Sequence, residues 1–266
     1  MDRLTSAQNP KIKQVVRLKD RKERDETSLF LIEGYREIKR AADSGIFFHS
    51  LYICPEFFLG ENEDALLRQT RCEIFELPEH LFEKISYRDR PDGLIAIAHQ
   101  MKKTLSDLTF QKTPPLFVIA ESIEKPGNLG TILRSADAVG ASGVIVCDRC
   151  TDIYNPNVVR ASVGTLFTIP VVEAKSPETL SWLKSHNIQV VAATPSASCE
   201  YTEAKLSGPL AIVVGTEQLG LTDLWMKSAD IQVKIPMRGV ADSLNVATAT
   251  TLLLYEALRQ QRHHSL

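Results

Sequence analysis

Hydrophobic and polar positions alternate along this chain in two periods, and the alternation predicts strands and helices in turn through most of its length. Residues 29–32, Leu-Phe-Leu-Ile, form an apolar run with strand character, followed by Glu33-Gly34 and a helix through Ala41 that Gly45 ends. Residues 47–53, 72–77 and 93–98 predict three more strands, with helices over 64–69 and 79–85 between them. Together they predict a small α/β sandwich of about 100 residues. Ahead of it, Asn9-Pro10 is a helix start, an N-cap followed by proline at the first helical position. From there residues 11–24 predict a basic amphipathic helix with Ile12, Val15, Val16 and Leu18 or Lys19 as its stripe.

Residues 102–115 break the pattern with polar side chains and the pair Pro114-Pro115. The expected division is a first domain over 1–105, a linker over 106–115 and a second domain over 116–266. The second half alternates again: an apolar run at 116–120, then Ile132, Leu133, Ala136 and Val139 at helical spacing with Gly140 placed as a C-cap. Segments 143–147, 155–161 and 168–172 follow, then a helix over 177–186 and strands over 188–193, 210–214 and 231–235. A long helix over 244–261 closes the chain, with Ser243 as its expected cap. Strands apolar throughout, alternating with helices, imply a parallel sheet covered on both faces.

Composition narrows the class. Of 266 residues, 44% are apolar and 24% charged, the figures of a soluble globular protein, and no apolar run approaches the roughly 20 residues of a membrane helix. Met1-Asp2-Arg3-Leu4-Thr5-Ser6 lacks the apolar core of a signal peptide, so a cytoplasmic protein with no membrane partner is expected. Five scattered cysteines argue against a disulfide framework, and Cys147-x-x-Cys150 has no second pair to complete a metal site. No metal is expected. The net charge of −2 announces no nucleic-acid binder, so any such partner must be met locally. Residues 11–24, with seven basic and two acidic side chains, are either a solvated face or a phosphate-tracking surface. The loop Tyr87-Arg88-Asp89-Arg90-Pro91-Asp92-Gly93 is either a surface turn or a place where looped RNA stacks.

The chemistry concentrates in three loops. After strand 116–120, Pro126 and Gly127 force a tight turn and Asn128 stands at a helix entry, at the carboxyl end of a sheet where open α/β folds bind ligands. Asn128 and Arg134, less than two turns apart, either address one ligand or are a cap and a solvated arginine. A dinucleotide-binding turn is a poor fit, although Asp148 stands near the place of a ribose-binding acid: Gly127-Asn128-Leu129-Gly130 lacks the first glycine of that pattern. It also leaves two later loops, Gly215-Thr216-Glu217-Gln218-Leu219-Gly220 and the one running from Pro236 to Ser243, without a task.

Taken together, Pro126-Gly127-Asn128-Leu129-Gly130-Thr131-Ile132-Leu133-Arg134, Val214 through Leu221, and Ile235-Pro236-Met237-Arg238-Gly239 with Ser243-Leu244-Asn245-Val246-Ala247 resemble the three signature motifs of the SpoU (TrmH-type) RNA ribose methyltransferases of the SPOUT superfamily, in the family's order and spacing. Ser6-Ala7-Gln8-Asn9-Pro10, Phe30-Leu31-Ile32-Glu33-Gly34 and Pro91-Asp92-Gly93-Leu94-Ile95-Ala96 similarly resemble its substrate-binding domain. The resemblance implies a C-terminal α/β domain with a parallel sheet and a trefoil knot, preceded by a smaller L30e-like α/β domain. It implies S-adenosylmethionine as cofactor, held by backbone groups of Gly215, Ile235 and Leu244 with Thr194 lining the site, and a homodimer packed through the knot. Arg134 of one subunit would work beside the other's cofactor. The expected reaction is methyl transfer to a ribose 2′-hydroxyl of 23S ribosomal RNA. The alternatives are a tRNA 2′-O-methyltransferase or an inactive RNA-binding module. Arg134 would clamp a phosphate, Asn128 would orient the ribose or Arg134, and Glu217 would hold its loop or the arginine. Ser243 and Asn245 would brace the knot and the hydroxyl pocket, unless Ser243 is a plain cap.

Overall fold

The apolar runs become the centres of two sheets in the computed structural model, which describes residues 2–110, 114–148 and 151–263. Two units separate: Met1–Met101 with Asp152–Thr168, and Lys102–Thr151 with Ile169–Leu266. In the first, strands β1 (Asp2–Arg3), β2 (Leu29–Glu33), β3 (Phe48–Ile53), β4 (Glu73–Glu76) and β5 (Leu94–His99) lie in the order β1-β4-β3-β5-β2. Strand β5 runs antiparallel to both its neighbours, and the pairs on β4 are parallel. Helices α1 (Pro10–Arg17) and α5 (Glu79–Ile85) cover one face, where Ile12, Val15, Leu81 and Phe82 pack with Leu31, Tyr52, Ile95 and Ile97.

The basic stretch 11–24 is two helices rather than one. Asp20 accepts the Lys22 N–H at 2.8 Å and starts α2 (Arg21–Thr27), because a capping carboxylate there satisfies a new helix end better than continuation does. Arg24 leaves the wet face expected for it. It is 1% exposed, and its Nε donates to Asp152 Oδ2 at 2.8 Å while Nη1 donates to the carbonyls of Leu18 and Lys19. A buried guanidinium needs those partners, and Asp152 supplies the charge from a distant part of the chain. Helices α3 (Tyr35–Asp43) and α4 (Glu63–Thr70) complete the series.

The second unit holds a seven-stranded sheet, parallel throughout: β6 (Leu116–Glu121), β7 (Gly143–Cys147), β8 (Val171–Ala174), β9 (Gln189–Ala193), β10 (Cys199–Glu200), β11 (Leu210–Val214) and β12 (Ile231–Lys234), in the order β10-β12-β9-β11-β6-β7-β8. Every residue of β6, β7 and β11 is buried, which is why their sequences run apolar instead of alternating. One face packs Phe117, Ile119, Ala211 and Val213 against Leu180, Leu183 and Trp225 of α8 (Ser176–Ser185) and α9 (Asp223–Ser228). The other carries α6 (Pro126–Ala138) and α10 (Val246–His263), joined by the Ser135 and Thr251 hydroxyls at 2.7 Å. Helix α7 (Pro156–Ala161) packs on β2, in the first unit.

Three local expectations shift. The segment placed at 168–172 forms a strand, β8, that starts only at Val171, because Thr165–Phe167 makes a turn of 3₁₀ helix first. The last helix begins two residues after the expected start, and Asn245 rather than Ser243 caps it, accepting the Ala247 N–H at 3.0 Å and the Thr248 N–H at 3.4 Å. Strand β10 and helix α9 are too short to print a periodicity. Among the described residues, no helix is long and apolar enough to cross a membrane. Cys150, half of the expected Cys-x-x-Cys pair, lies outside the described residues.

Candidate active site

Strands β12, β9 and β11 are adjacent and parallel, so their carboxyl ends open on one edge. Ile235, Thr194 and Gly215 are each the first residue beyond one of these strands. With Ser243, Leu244 and the α10 residues Val246, Ala249 and Leu253 they line a cavity of about 430 Å³. All four residues expected to hold a cofactor are therefore brought to one hollow, on the edge where doubly wound sheets place ligands.

Gly215 is required by the loop itself. Thr216 and Gly220 exchange backbone hydrogen bonds at 3.1 Å, and a Cβ on Gly215 would stand 2.3 Å from the Gly220 carbonyl oxygen. The far end of the loop is held from beneath. Glu121, 1% exposed at the end of β6, accepts the Thr222 N–H at 2.9 Å and the Thr222 hydroxyl at 2.7 Å. Nothing in the run 116–121 distinguishes Glu121 as an anchor, because its partner lies 101 residues away.

Glu217 joins the three motifs. Its carboxylate accepts hydrogen bonds from Lys125 Nζ and Asn128 Nδ2, and from Asn245 Nδ2 at 3.2 Å; Asn245 also donates to Asn128 Oδ1 at 3.1 Å. The Lys125 ammonium bonded to it holds the Glu217 carboxyl below the ordinary carboxylate range, against partial desolvation, with Asn128 adding to the effect. Beside the large cavity, with which it shares Glu217 and Val246, a hollow of about 50 Å³ is lined also by Ile123, Lys125 and Asn128. Glu217 thus stands between two spaces. Lys125 is the member of this cluster that sequence reasoning passed over, since an exposed lysine before a proline has no signature of its own.

Arg134 is placed apart. It lies on the exposed side of α6, does not line the cavity, and makes no hydrogen bond or ion pair within the described residues. Glu217 holds Asn128 and Lys125, not the arginine. Asn128 sits at the third position of α6, whose N-cap is Lys125, rather than at the helix entry. Ser243 lines the cavity, and its hydroxyl donates to the neighbouring Asp242 carboxylate at 3.4 Å. Asp148 serves elsewhere, accepting the Ser176 N–H at 3.3 Å at the start of α8. In the loop 87–93, Arg88 is turned inward. It pairs with Glu37 at 2.9 Å and donates to the Glu33 carbonyl at 2.8 Å, which leaves Arg90 as the exposed arginine.

A model of the SpoU rRNA Methylase family matches residues 115–255, and one described as an MRM3-like substrate binding domain matches residues 9–96. The chain belongs to the SpoU rRNA methylase family. This SpoU chain is 34% identical to the 23S rRNA (uridine(2479)-2′-O)-methyltransferase of Streptomyces viridochromogenes, over 92% of this chain and 87% of the relative. It is 29% identical to the 23S rRNA (guanosine(2553)-2′-O)-methyltransferase RlmP of Bacillus subtilis, over 96% and 98%. An AdoMet-bound rRNA methyltransferase from Sinorhizobium meliloti superposes with a TM-score of 0.89 at 33% identity, over 100% of this chain and 98% of that one. A crystallised RNA 2′-O ribose methyltransferase does so with a TM-score of 0.86 at 45% identity, over 98% and 99%.

Proposed function

We propose that this SpoU chain transfers a methyl group from S-adenosylmethionine to a ribose 2′-hydroxyl of ribosomal RNA, in the cytoplasm. The observation that carries this reading is the convergence of Thr194, Gly215, Ile235 and Leu244 on one cavity whose wall, Glu217, is bonded to Asn128 and Asn245. The cavity suits the cofactor. Its volume is in the range of small-molecule sites, its Val214, Ile235 and Leu253 surfaces are apolar, and the Thr194 and Ser196 hydroxyls stand at its rim. When bound there, the sulfonium supplies an electrophilic methyl group.

The residues of the chain do the positioning. Glu217 fixes the Asn128 and Asn245 amides, and Asn128 faces the small hollow beside the cavity, where the ribose enters. Holding the attacking oxygen in line supplies much of the rate in such a transfer. Arg134 is given no proton-abstracting role, because a guanidinium is a poor general base. It clamps the phosphate beside the attacked ribose and lowers the cost of negative charge on the hydroxyl oxygen as the proton leaves to phosphate or water.

The site is completed in a homodimer packed through the α6 and α10 face, with Arg134 reaching the partner's cavity. Two features support this: Arg134 has no role at its own chain's cavity, and Leu252 and Tyr255 leave apolar surface exposed on α10. The trefoil knot that the resemblance implies would lie where the chain passes from β12 to α10, which packs on β11 and α6.

The test is transfer of labelled methyl from S-adenosylmethionine to total ribosomal RNA, followed by mapping of 2′-O-methylation in cells with and without the gene. Loss of one 23S site on deletion, restored by the parent gene, is the expected result. An unchanged ribosomal map with a lost tRNA site would sink the ribosomal assignment.

A further inference from the structure

One end of the first unit's sheet gathers three exposed rings. Phe47, just before β3, is 73% exposed, and His49 and His99 are exposed beside it. The ring centroids of Phe47 and His99 lie 5.2 Å apart and those of His49 and His99 6.0 Å apart. The backbone builds this arrangement. The register between β3 and β5 shifts between Phe48 and Ser50, a bulge that turns His49 outward while both its neighbours stay buried. The His99 N–H donates to the Phe47 carbonyl at 3.0 Å, which pins the two rings side by side.

Basic side chains stand on the same face, two of them paired with carboxylates. His99 follows Ile95 and Ile97 in the alternation of β5, so it points to the face covered by α1, whose Ile12 and Val15 pack with those isoleucines. Helix α1 carries Lys11, Lys13 and Arg17 on its outer surface. Lys11 pairs with Glu73 at 2.8 Å. Glu73 stands opposite Ser50 in the β3–β4 register, so this pair brings Lys11 beside the strand that carries His49, and that ammonium first, then His49, hold the Glu73 carboxyl below its ordinary range.

We propose that Phe47, His49 and His99 form a stacking platform for unpaired bases of an RNA, with the basic face of α1 tracking the adjoining phosphates. Aromatic rings beside a positive surface are what single-stranded RNA requires, since every base offers a face to stack and every linkage a charge to neutralise. A protein partner fits less well, because protein interfaces deplete charge at their centres and here imidazoles adjoin the Phe47 ring, with the lysines of α1 on the same face of the sheet. The platform deepens the reading of the chain as an RNA methyltransferase and rests on it for the source of the RNA.

The experiment uses the full chain and a fluorescent single-stranded RNA of about 12 nucleotides, long enough to span a stacking site. Phe47→Ala with His99→Ala should raise the oligonucleotide Kd about tenfold or more, the worth of a lost stacked base, and Phe47→Trp should retain binding. Leu59→Ala, at an equally exposed apolar residue of the same unit (84% exposed), should change nothing. A Kd for the double variant within about twofold of the parent's overturns the platform, and so does a parent that fails to bind the oligonucleotide. A sedimentation change in the Phe47 variant at unchanged RNA affinity overturns it in favour of self-association. Methyl transfer by the parent to ribosomal RNA is measured alongside. Platform-dependent binding without any transfer leaves the platform standing and removes the proposed function; transfer with platform-independent binding does the reverse.

Discussion

Replacing Arg134 with alanine separates chemistry from folding more cleanly than any other change in this chain. The side chain is exposed and has no partner within the described residues, so its loss should alter unfolding free energy by no more than about 0.5 kcal/mol. It does not line the cavity, so S-adenosylmethionine affinity should stay within about twofold. Removing a donor aimed at charge that develops in the transition state costs about 100- to 1,000-fold in kcat, or roughly 2.7–4 kcal/mol. Labelled methyl transfer to ribosomal RNA at saturating cofactor measures it, and calorimetric titration checks the cofactor. Arg134→Lys keeps the charge but not the two-pronged geometry, and should fall between parent and alanine variant. Mixing then tests the placement across subunits. In a dimer re-formed from Arg134→Ala chains and Gly215→Ala chains, assayed at a cofactor concentration too low to fill the weakened Gly215→Ala cavity, a heterodimer has one working site only if Arg134 serves its partner's cavity. Random re-pairing should restore about a quarter of parental activity, since half of the two-fold dimers are mixed and each has one good site of two. Near-parental turnover by Arg134→Ala refutes the clamp; no recovery on mixing refutes its action across the dimer.

The remaining predictions test the frame of the site. Gly215→Ala should weaken S-adenosylmethionine binding at least about tenfold, because its Cβ meets backbone at 2.3 Å; Gly127→Ala, with nothing within 4 Å, should fold normally and gain up to about 1 kcal/mol by urea unfolding. Glu121→Ala strips two donors of a buried charged acceptor and should cost about 3–5 kcal/mol in the same measurement while loosening the cofactor; a loss below about 1 kcal/mol means that the carboxylate does not anchor the loop. Burial pushes the Cys54 and Cys147 thiols up to about 12, so both should resist a thiol reagent at pH 8 until the chain unfolds. The unfolded chain releases these protons first, so their contribution lowers stability as pH rises from about 9 towards 12; rapid native-state labelling of Cys147 contradicts its burial.

Much of the second sheet was legible because a parallel strand buried on both faces writes a continuous apolar run, as 210–214 does. What the sequence concealed depends on partners distant along the chain. Arg24 looked like one more solvated base among seven, and only Asp152, 128 residues later, makes it a buried anchor. That pair also draws Asp152–Thr168 into the first unit, where no change of composition marks the move. Ser243 and Asn245 are both good caps, and choosing between them needed the geometry of the first turn of α10.

The glycine motifs were visible as motifs, but the reason for their joint presence was not. Each of the three loops contributes one amide or carboxylate to a single cluster, in which Glu217 accepts from Asn128 and Asn245, and Lys125 balances its charge. Asn245 is bound twice over, since its carbonyl oxygen caps α10 while its amide nitrogen reaches Glu217 and Asn128. These bonds tie the 215–220 loop to α6, which carries Asn128 and Arg134, and to the start of α10. The 92 residues between Lys125 and Glu217 hide that connection from any reading of local pattern, although it ties a wall of the large cavity to the helix that bears Arg134.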